Sequence, residues 1–342
     1  MKSSNTEETF NLVKAGRRNL LINGQMWINQ RNGGSSYTIP HDSGGSYGGP
    51  DRWAINESTD GSVSVNMDSD PQNYHQVEQF DKAMQIACAG TASLSSSHNV
   101  HFFQNIEANN MSHLGFGTKH AKPVTLSFWV KTNCAGLYNV GLQNNNKDRT
   151  CIRSFYQNGS HEWNKVVLHF SGCGDGTWTY GTGTGMRVRF CLAGGTTYDD
   201  GSEGEWVHSD EMYAGTQVNF MSSTSNRFFI TGVQLEEGNS ATPFEHRSIT
   251  EETLLCQRYY HQISTTTGQQ WLYFLYNTTS YSRATVFHPV MMRVAPTVSG
   301  ISLSNTGTQS GTQFNGTQST TVYVNNPGSI SNIDAAKFSS EL

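Results

Sequence analysis

Short segments in which apolar and polar residues alternate one for one, each closed by a turn signal, constrain this chain more than any other feature. In SVSVNM (62–67), Val63, Val65 and Met67 share one side. In VTLSFWVKT (124–132), Val124, Leu126, Phe128 and Val130 alternate with Thr125, Ser127, Trp129 and Lys131. KVVLHF repeats the pattern with Val166, Leu168 and Phe170, and MRVRFCL sets Met186, Val188, Phe190 and Leu192 against Arg187, Arg189 and Cys191. Successive side chains of a strand point to opposite faces, so this period of two predicts half-buried antiparallel strands. Many short strands divided by turns build a sandwich or a barrel. FFITGVQLEEGNSATPFEHR (228–247) starts alike, with Phe229, Thr231, Val233 and Leu235 on one face and Phe228, Ile230 and Gln234 on the other. It predicts a central strand that becomes exposed toward Glu236, turns at Gly238 and leaves stiffened by Pro243.

The composition agrees. Charged residues are 14% of the 342 and apolar residues 35%, yet the chain holds 7 Trp, 14 Tyr and 17 Phe, which a disordered chain would lack. Helix signals are scarce: EQFDKAMQIAC (78–88) is too short to change the class. SITEETLLCQ (248–257) predicts a short helix with Thr250 capping and Glu251 and Glu252 in its first turn. After it a second series follows, QQWLYFLYN, RATVFHPVMMRV, TVSGISLS and TTVYVNN. The expected organisation is an N-terminal attachment arm over 1–18, a large β domain over 19–248 and a small C-terminal β domain over 249–342.

Several partners are disfavoured. A net charge of −5 with scattered Lys and Arg, the longest basic run being Arg17–Arg18, argues against nucleic acid. No apolar run approaches the ~20 residues a membrane span needs, so no membrane insertion is expected. MKSSNTEETFNLVKAGRR has no apolar core and does not read as a secretory signal. The six cysteines include no C-x-x-C pair, which predicts reduced, buried thiols rather than a metal site.

Chemistry candidates are few. Glu236 and Glu237 are adjacent on a strand and point apart, so they cannot form the facing carboxylate pair of a glycosidase. The loop TYDDGSEGEW holds Asp199, Asp200, Glu203 and Glu205; calcium is conceivable there, but the spacing departs from the EF-hand and a solvated loop is expected. GCGDGTWTYGTGTG (172–185) lacks the Lys-Ser/Thr ending of a phosphate loop. Its Trp178 and Tyr180, with Tyr198 and Asp199 nearby in sequence, are the candidate ligand-binding residues, as aromatics able to stack on sugar rings. No catalytic or metal residue is expected, nor a required cofactor.

NLLINGQMWINQR, DRWAI, VTLSFWVKT, WNKVVLHF, FFITGVQLEEGNSATPFEHR and CQRYYHQI occur in this order over about 19–260. Together they resemble a domain of bacteriophage tail-fibre and receptor-binding proteins, notably of marine phages, similar to a carbohydrate-binding-module jelly roll. The densest part pairs Asn19–Asn23 with Phe229–Arg247. The resemblance implies an all-β fold, a jelly-roll β-sandwich followed by the smaller β domain, in a virion protein made in the bacterial cytoplasm. It implies a homotrimer without enzyme activity that binds host surface polysaccharide and docks on other virion proteins through residues 1–18. Without a long adaptor or shaft, a short fibre or fibre tip is the expected form. The alternatives are a head fibre, capsid decoration or tail-assembly protein of purely structural role, and, third, a polysaccharide depolymerase.

Overall fold

A computed structural model describes residues 17–68, 80–199, 202–264, 275–276, 281–304, 309–325 and 332–342. The arm expected over 1–18 lies outside them except for Arg17 and Arg18. The chain forms two compact units, which divide between Arg247 and Ser248.

The first unit carries β1 (Tyr37–Thr38), β2 (Ala54–Ser58), β3 (Ser62–Asp68), β4 (Ala83–Gly90), β5 (Asn99–Glu107), β6 (Val124–Thr132), β7 (Gly136–Gln143), β8 (Thr150–Gln157), β9 (Asn164–Phe170), β10 (Thr184–Gly194), β11 (Trp206–Val207) and β12 (Arg227–Glu237). They form two six-stranded antiparallel sheets, in the orders β1-β3-β4-β12-β6-β9 and β11-β8-β7-β10-β5-β2. The chain passes repeatedly from one sheet to the other, which makes the unit a jelly-roll β-sandwich. The short segment expected to be weakly helical contributes β4 instead, because Met84 and Ile86 alternate into the core.

Alternation decides what lies between the sheets. Val124, Leu126, Phe128 and Val130 of β6 and Met186, Val188, Phe190 and Leu192 of β10 all join the core. Aromatic rings knit the two layers: Phe102 of β5 stacks on Phe190 at 4.6 Å, Phe190 meets Phe128 edge-on at 5.2 Å, and Phe228 of β12 lies 5.8 Å from Phe102. Each such ring contributes about 1.5–3 kcal/mol by leaving water.

β12 departs from simple parity. Its core residues are Phe228, Ile230, Val233 and Leu235, so the inward set changes register partway along the strand. The cause is a bulge between Thr231 and Gln234 in the pairing with β6, where Gly232 takes φ +60°. The expected grouping of Phe229 and Thr231 with Val233 and Leu235 is therefore corrected. Phe229 lies on the other side, against His161, Trp163 and Lys131.

The second unit holds a helix, Ile249–Gln257, capped by Ser248, whose side chain accepts from the Glu251 N–H; Thr250 is already inside the first turn. Its strands are β13 (Tyr260–Ser264), β14 (Leu275–Tyr276), β15 (Tyr281–Phe287), β16 (Thr297–Ser304), β17 (Gln309–Asn315), β18 (Ser319–Asn325) and β19 (Asn332–Ser339). They pair as β13-β19-β16 and β14-β15-β18-β17. Ala284, Val286, Met292, Val322, Ala336 and Phe338 form its core.

Candidate functional site

The residues quoted for the start and end of the large domain meet in space. The Asn19 side chain donates to Val233 O at 3.0 Å and accepts from the N–H groups of Leu21 and Leu235. Glu245 accepts from the Arg18 and Asn19 N–H groups at 2.6 and 2.7 Å, and Arg247 donates to the carbonyls of Leu21 and Asn19 and to Glu245. Glu236 accepts from Gln234 and from both donors of Thr242, while Glu237 pairs with Lys122 at 3.0 Å. Every acid in this stretch is thus engaged in closing the sandwich.

The four expected ligand residues fall in two separate places. Trp178 and Tyr180 precede β10, whereas Tyr198 and Asp199 follow it. β10 has 11 residues, and a strand of that length spans on the order of 35 Å. The four cannot line one sugar site. Trp178 is also buried, edge to face with Phe116 at 4.8 Å and Trp206 at 5.7 Å, its indole N–H donating to Asp175 O. With its ring inside the core it is no stacking platform. Tyr180 is exposed at 76%, a single surface ring. The Tyr198 hydroxyl accepts from the Asn99 amide at 3.2 Å, and Asp199 accepts from the Gly215 N–H at 2.7 Å.

The loop weighed for calcium is also tied to protein groups, since Glu203 accepts from the Ser154 N–H; Asp200 lies outside the described residues. Among the described residues no group of three or more His, Cys, Asp and Glu could hold a metal ion. All six cysteines are buried free thiols, and burial pushes Cys151 and Cys191 up to about 12.

A denser polar constellation lies on the side of the second sheet that faces away from the core. Strand parity puts Asn99, His101, Phe103 and Asn105 of β5, Arg187 and Arg189 of β10, and Asn139 and Gln143 of β7 on this side. Two loops lie along it. Residues 209–217 are held by Asn139 and Gln143: Asn139 donates to Thr216 O at 2.9 Å, and Gln143 donates to Asp210 Oδ1 at 2.7 Å. Residues 41–47 approach from the other side, where Gly45 sits so close to Phe103 that a Cβ would come within 2.7 Å of the ring. The floor beneath them is Phe103, Asn105 and Arg189, all buried, with Arg187 half-buried; Arg189 is paired opposite Phe103 and Arg187 opposite Asn105.

The floor is electrically organised. Arg189 donates to Asp210 Oδ1 at 2.8 Å and to the Glu211 carbonyl, and Lys147 stands 3.4 Å from Asp210 Oδ2. Burial opposes the Asp210 charge, but Arg189, Gln143 and Lys147 outweigh it and hold the carboxyl down at about 2. His101 is driven well below its ordinary value by burial and by Arg189 and Arg187, so it is a neutral imidazole that can both donate and accept. Arg187 lies over the Phe103 ring at 4.2 Å and donates from Nε to Asn105 Oδ1 at 2.8 Å.

Amides, a neutral imidazole and guanidinium groups are the donor and acceptor types that hydroxyl-rich ligands need; here His101, Asn105, Arg189 and Gln143 are buried, and Arg187 is the member partly open to solvent. Sequence reasoning set Arg187 and Arg189 on the polar side of β10 without treating them as a site. The available signal was the coincidence of that strand with NVHFFQNIE (99–107), whose polar side carries Asn99, His101 and Asn105.

No family model matches the chain, and no curated protein is similar to it. Solved structures with related architecture include the enzymatically active domain of tailspike protein 4 of bacteriophage CBA120, at 11% identity and TM-score 0.34, over 64% of this chain and 21% of that one. A candidate sugar binding protein of Bacteroides thetaiotaomicron aligns at 14% identity and TM-score 0.37, over 65% of this chain and 100% of that one. A family 11 carbohydrate-binding module of Clostridium thermocellum, in complex with a β-1,3-1,4-mixed-linked tetrasaccharide, aligns at 11% identity and TM-score 0.29, over 60% of this chain and 98% of that one.

Proposed function

We propose that the protein is a glycan-binding component of a bacteriophage particle, a short fibre or fibre tip that attaches to host surface polysaccharide. The observation that carries the glycan half is the outer face of the second sheet. There the half-buried Arg187 lies among the buried polar residues His101, Asn105, Arg189 and Gln143, beside two loops, on a unit in which Glu236 and Glu245 are taken up in closing the fold. The virion half rests on the ordered motifs from NLLINGQMWINQR to CQRYYHQI. No enzyme activity is proposed, and no cofactor.

Homotrimer formation is part of the reading. In the C-terminal unit Phe287 and Phe314 are exposed at 79% and 64%; they pair opposite Ser319 and Thr321 of β18, which puts both rings on one side of that sheet. Paired apolar rings left in water favour association between chains. The same surface supports the second reading, a head fibre, capsid decoration or tail-assembly protein whose contacts are with virion proteins alone.

Affinity electrophoresis of the full chain through gels containing host surface polysaccharide tests the first reading. Retardation is expected; unchanged mobility of a folded protein would refute host-glycan binding. Imaging the particle separates the two, since a distal position fits a fibre tip and a place flat on the capsid shell fits decoration. Light scattering gives the oligomer, expected to be a trimer that weakens in Phe287→Ser/Phe314→Ser.

A further inference from the structure

We propose that Asn158 is a site of spontaneous covalent modification, where the side-chain amide is lost through a cyclic imide and replaced by aspartate and isoaspartate. The inference is independent of the glycan-binding reading and concerns a loop that reading does not use.

The chain contains four Asn-Gly pairs, at 23–24, 32–33, 158–159 and 315–316. In such a pair the glycine nitrogen can attack the side-chain carbonyl carbon of the asparagine, because glycine brings no side chain to shield it. Both groups belong to one dipeptide, so the step is intramolecular. The fold decides which pairs can react, and it locks three of them. Asn23 is fully buried, and its amide donates to the carbonyls of Ile28 and Asp51 at 2.8 and 3.0 Å. The Asn32 amide donates to the Gly48 carbonyl, and the Gly33 N–H donates to Asn29 O at 3.2 Å. Asn315 is exposed, yet its amide donates to the Pro296 carbonyl and its oxygen accepts from Thr320. The Gly316 N–H, which would have to attack, donates to Ser319 O at 2.9 Å.

Asn158 is the exception. It is exposed, in the crossover from β8 to β9, and among the described residues neither its amide nitrogen nor the Gly159 N–H has a hydrogen-bond partner. The bond it does make favours the reaction, since Oδ1 accepts from the Ser160 N–H at 2.9 Å. That contact folds the side chain back along its own backbone. It also places a donor on the oxygen where negative charge develops when the carbonyl carbon is attacked.

The step balances with water and hydroxide alone. The Gly159 N–H gives its proton to hydroxide and the nitrogen bonds to Asn158 Cγ. The bond from Cγ to the amide nitrogen then breaks, and ammonia leaves with a proton taken from water. A further water opens the imide at one of its two carbonyls, giving aspartate or isoaspartate. Both products carry a new negative charge, and isoaspartate also lengthens the backbone by a methylene. Gly159 lies so close to Ala135 that a Cβ would stand 3.0 Å from its nitrogen, so the longer backbone is expected to loosen the crossover.

The test incubates the folded full chain in mildly alkaline buffer and follows all four pairs by peptide mapping with mass spectrometry. Asn158 is expected to react about tenfold or more faster than each of the other three, the factor that one retained hydrogen bond corresponds to. In urea, where no pair is held, the four should react at comparable rates. Protection of Asn158 in the folded chain equal to that of the other three would overturn the proposal. So would loss of all four amides at their rates in urea. Asn158→Gln, a change at an exposed position, should unfold as the parent does and no longer form the acidic species seen on native isoelectric focusing. Acidic species that accumulate at the parental rate in this variant would overturn the assignment to Asn158.

Discussion

His261 Nε2 lies 2.8 Å from His288 Nδ1 inside the C-terminal unit, a buried contact between two imidazoles. Phe338 stacks on His261 at 4.7 Å, and Thr320 Oγ1 is 3.2 Å from His288 Nε2. One imidazole donates and the other accepts while at least one of the two is neutral; with both protonated, two donors would face each other. Burial, with His288 adding to it, lowers His261 to about 4, and burial lowers His288 too.

This pair predicts acid lability. Unfolded histidine binds its proton near pH 6.5, so between that value and about 4 the unfolded chain holds more protons than the folded one. The stability is complete above the unfolded value and is lost as pH falls through this window, by up to about 3 kcal/mol for His261. Urea unfolding of the full chain from pH 7.5 to 4.5 should show the transition of the second unit weakening. A pH-independent midpoint there would contradict the neutral pair. In His261→Gln the slope should shrink.

The clamp that closes the sandwich predicts a different loss. Glu245 receives two backbone N–H groups and Arg247, so Glu245→Ala strands three donors. A cost on the order of 3 kcal/mol is expected, given about 1.5–3 kcal/mol for a hydrogen bond to a charged group. Arg247→Met should cost a similar amount, and the double variant less than the sum, because the residues share partners. Additive losses in chemical denaturation would show that the two act independently.

Glycines on this seam are fixed by contact. A Cβ on Gly24 would stand 2.1 Å from the Val233 carbonyl, which accompanies the Val233 N–H to Gly24 O hydrogen bond of 2.9 Å. Gly24→Ala therefore forces two backbones apart. Gly215→Ala, with φ +75° but open space around it, adds only backbone strain. The first should lower the melting temperature markedly more than the second, which is expected to cost roughly 1 kcal/mol.

Trp178 and Tyr180 separate core from surface within three residues. Trp178→Ala removes a ring packed between Phe116 and Trp206 and is expected to destabilise by about 3–5 kcal/mol. Tyr180→Ala should stay within about 0.5 kcal/mol. Neither should change affinity for a glycan at the outer face of the second sheet, provided that the Trp178 variant is measured where it remains folded. A specific loss of binding in Tyr180→Ala would move the site to that end of the sandwich.

Local pattern and tertiary contact divide the account of this molecule. Alternation along β3, β6, β9 and β10 was readable because a strand's inside and outside follow from the chain itself, and so was the all-β class. β12 was half readable: the strand is plain in the text, but the bulge at Gly232 that shifts its parity exists because the backbone there yields to its pairing with β6. Ser248 in place of Thr250 as helix cap is a similar two-residue offset, visible in the Ser248 side chain that accepts the Glu251 N–H. The site was least readable. Trp178 and Tyr198 are 20 residues apart in the sequence, yet an intervening strand carries them to opposite ends of a sheet. Arg187, Phe103 and Asn105 meet only because β10 pairs with β5 in one register. The sequence by itself determined which segments are strands and which residues must leave water, since those depend on neighbours one or two positions away. Only the tertiary structure decided which polar side chains share a face and which of them are buried, because strand register and loop placement bring together residues that the chain keeps far apart.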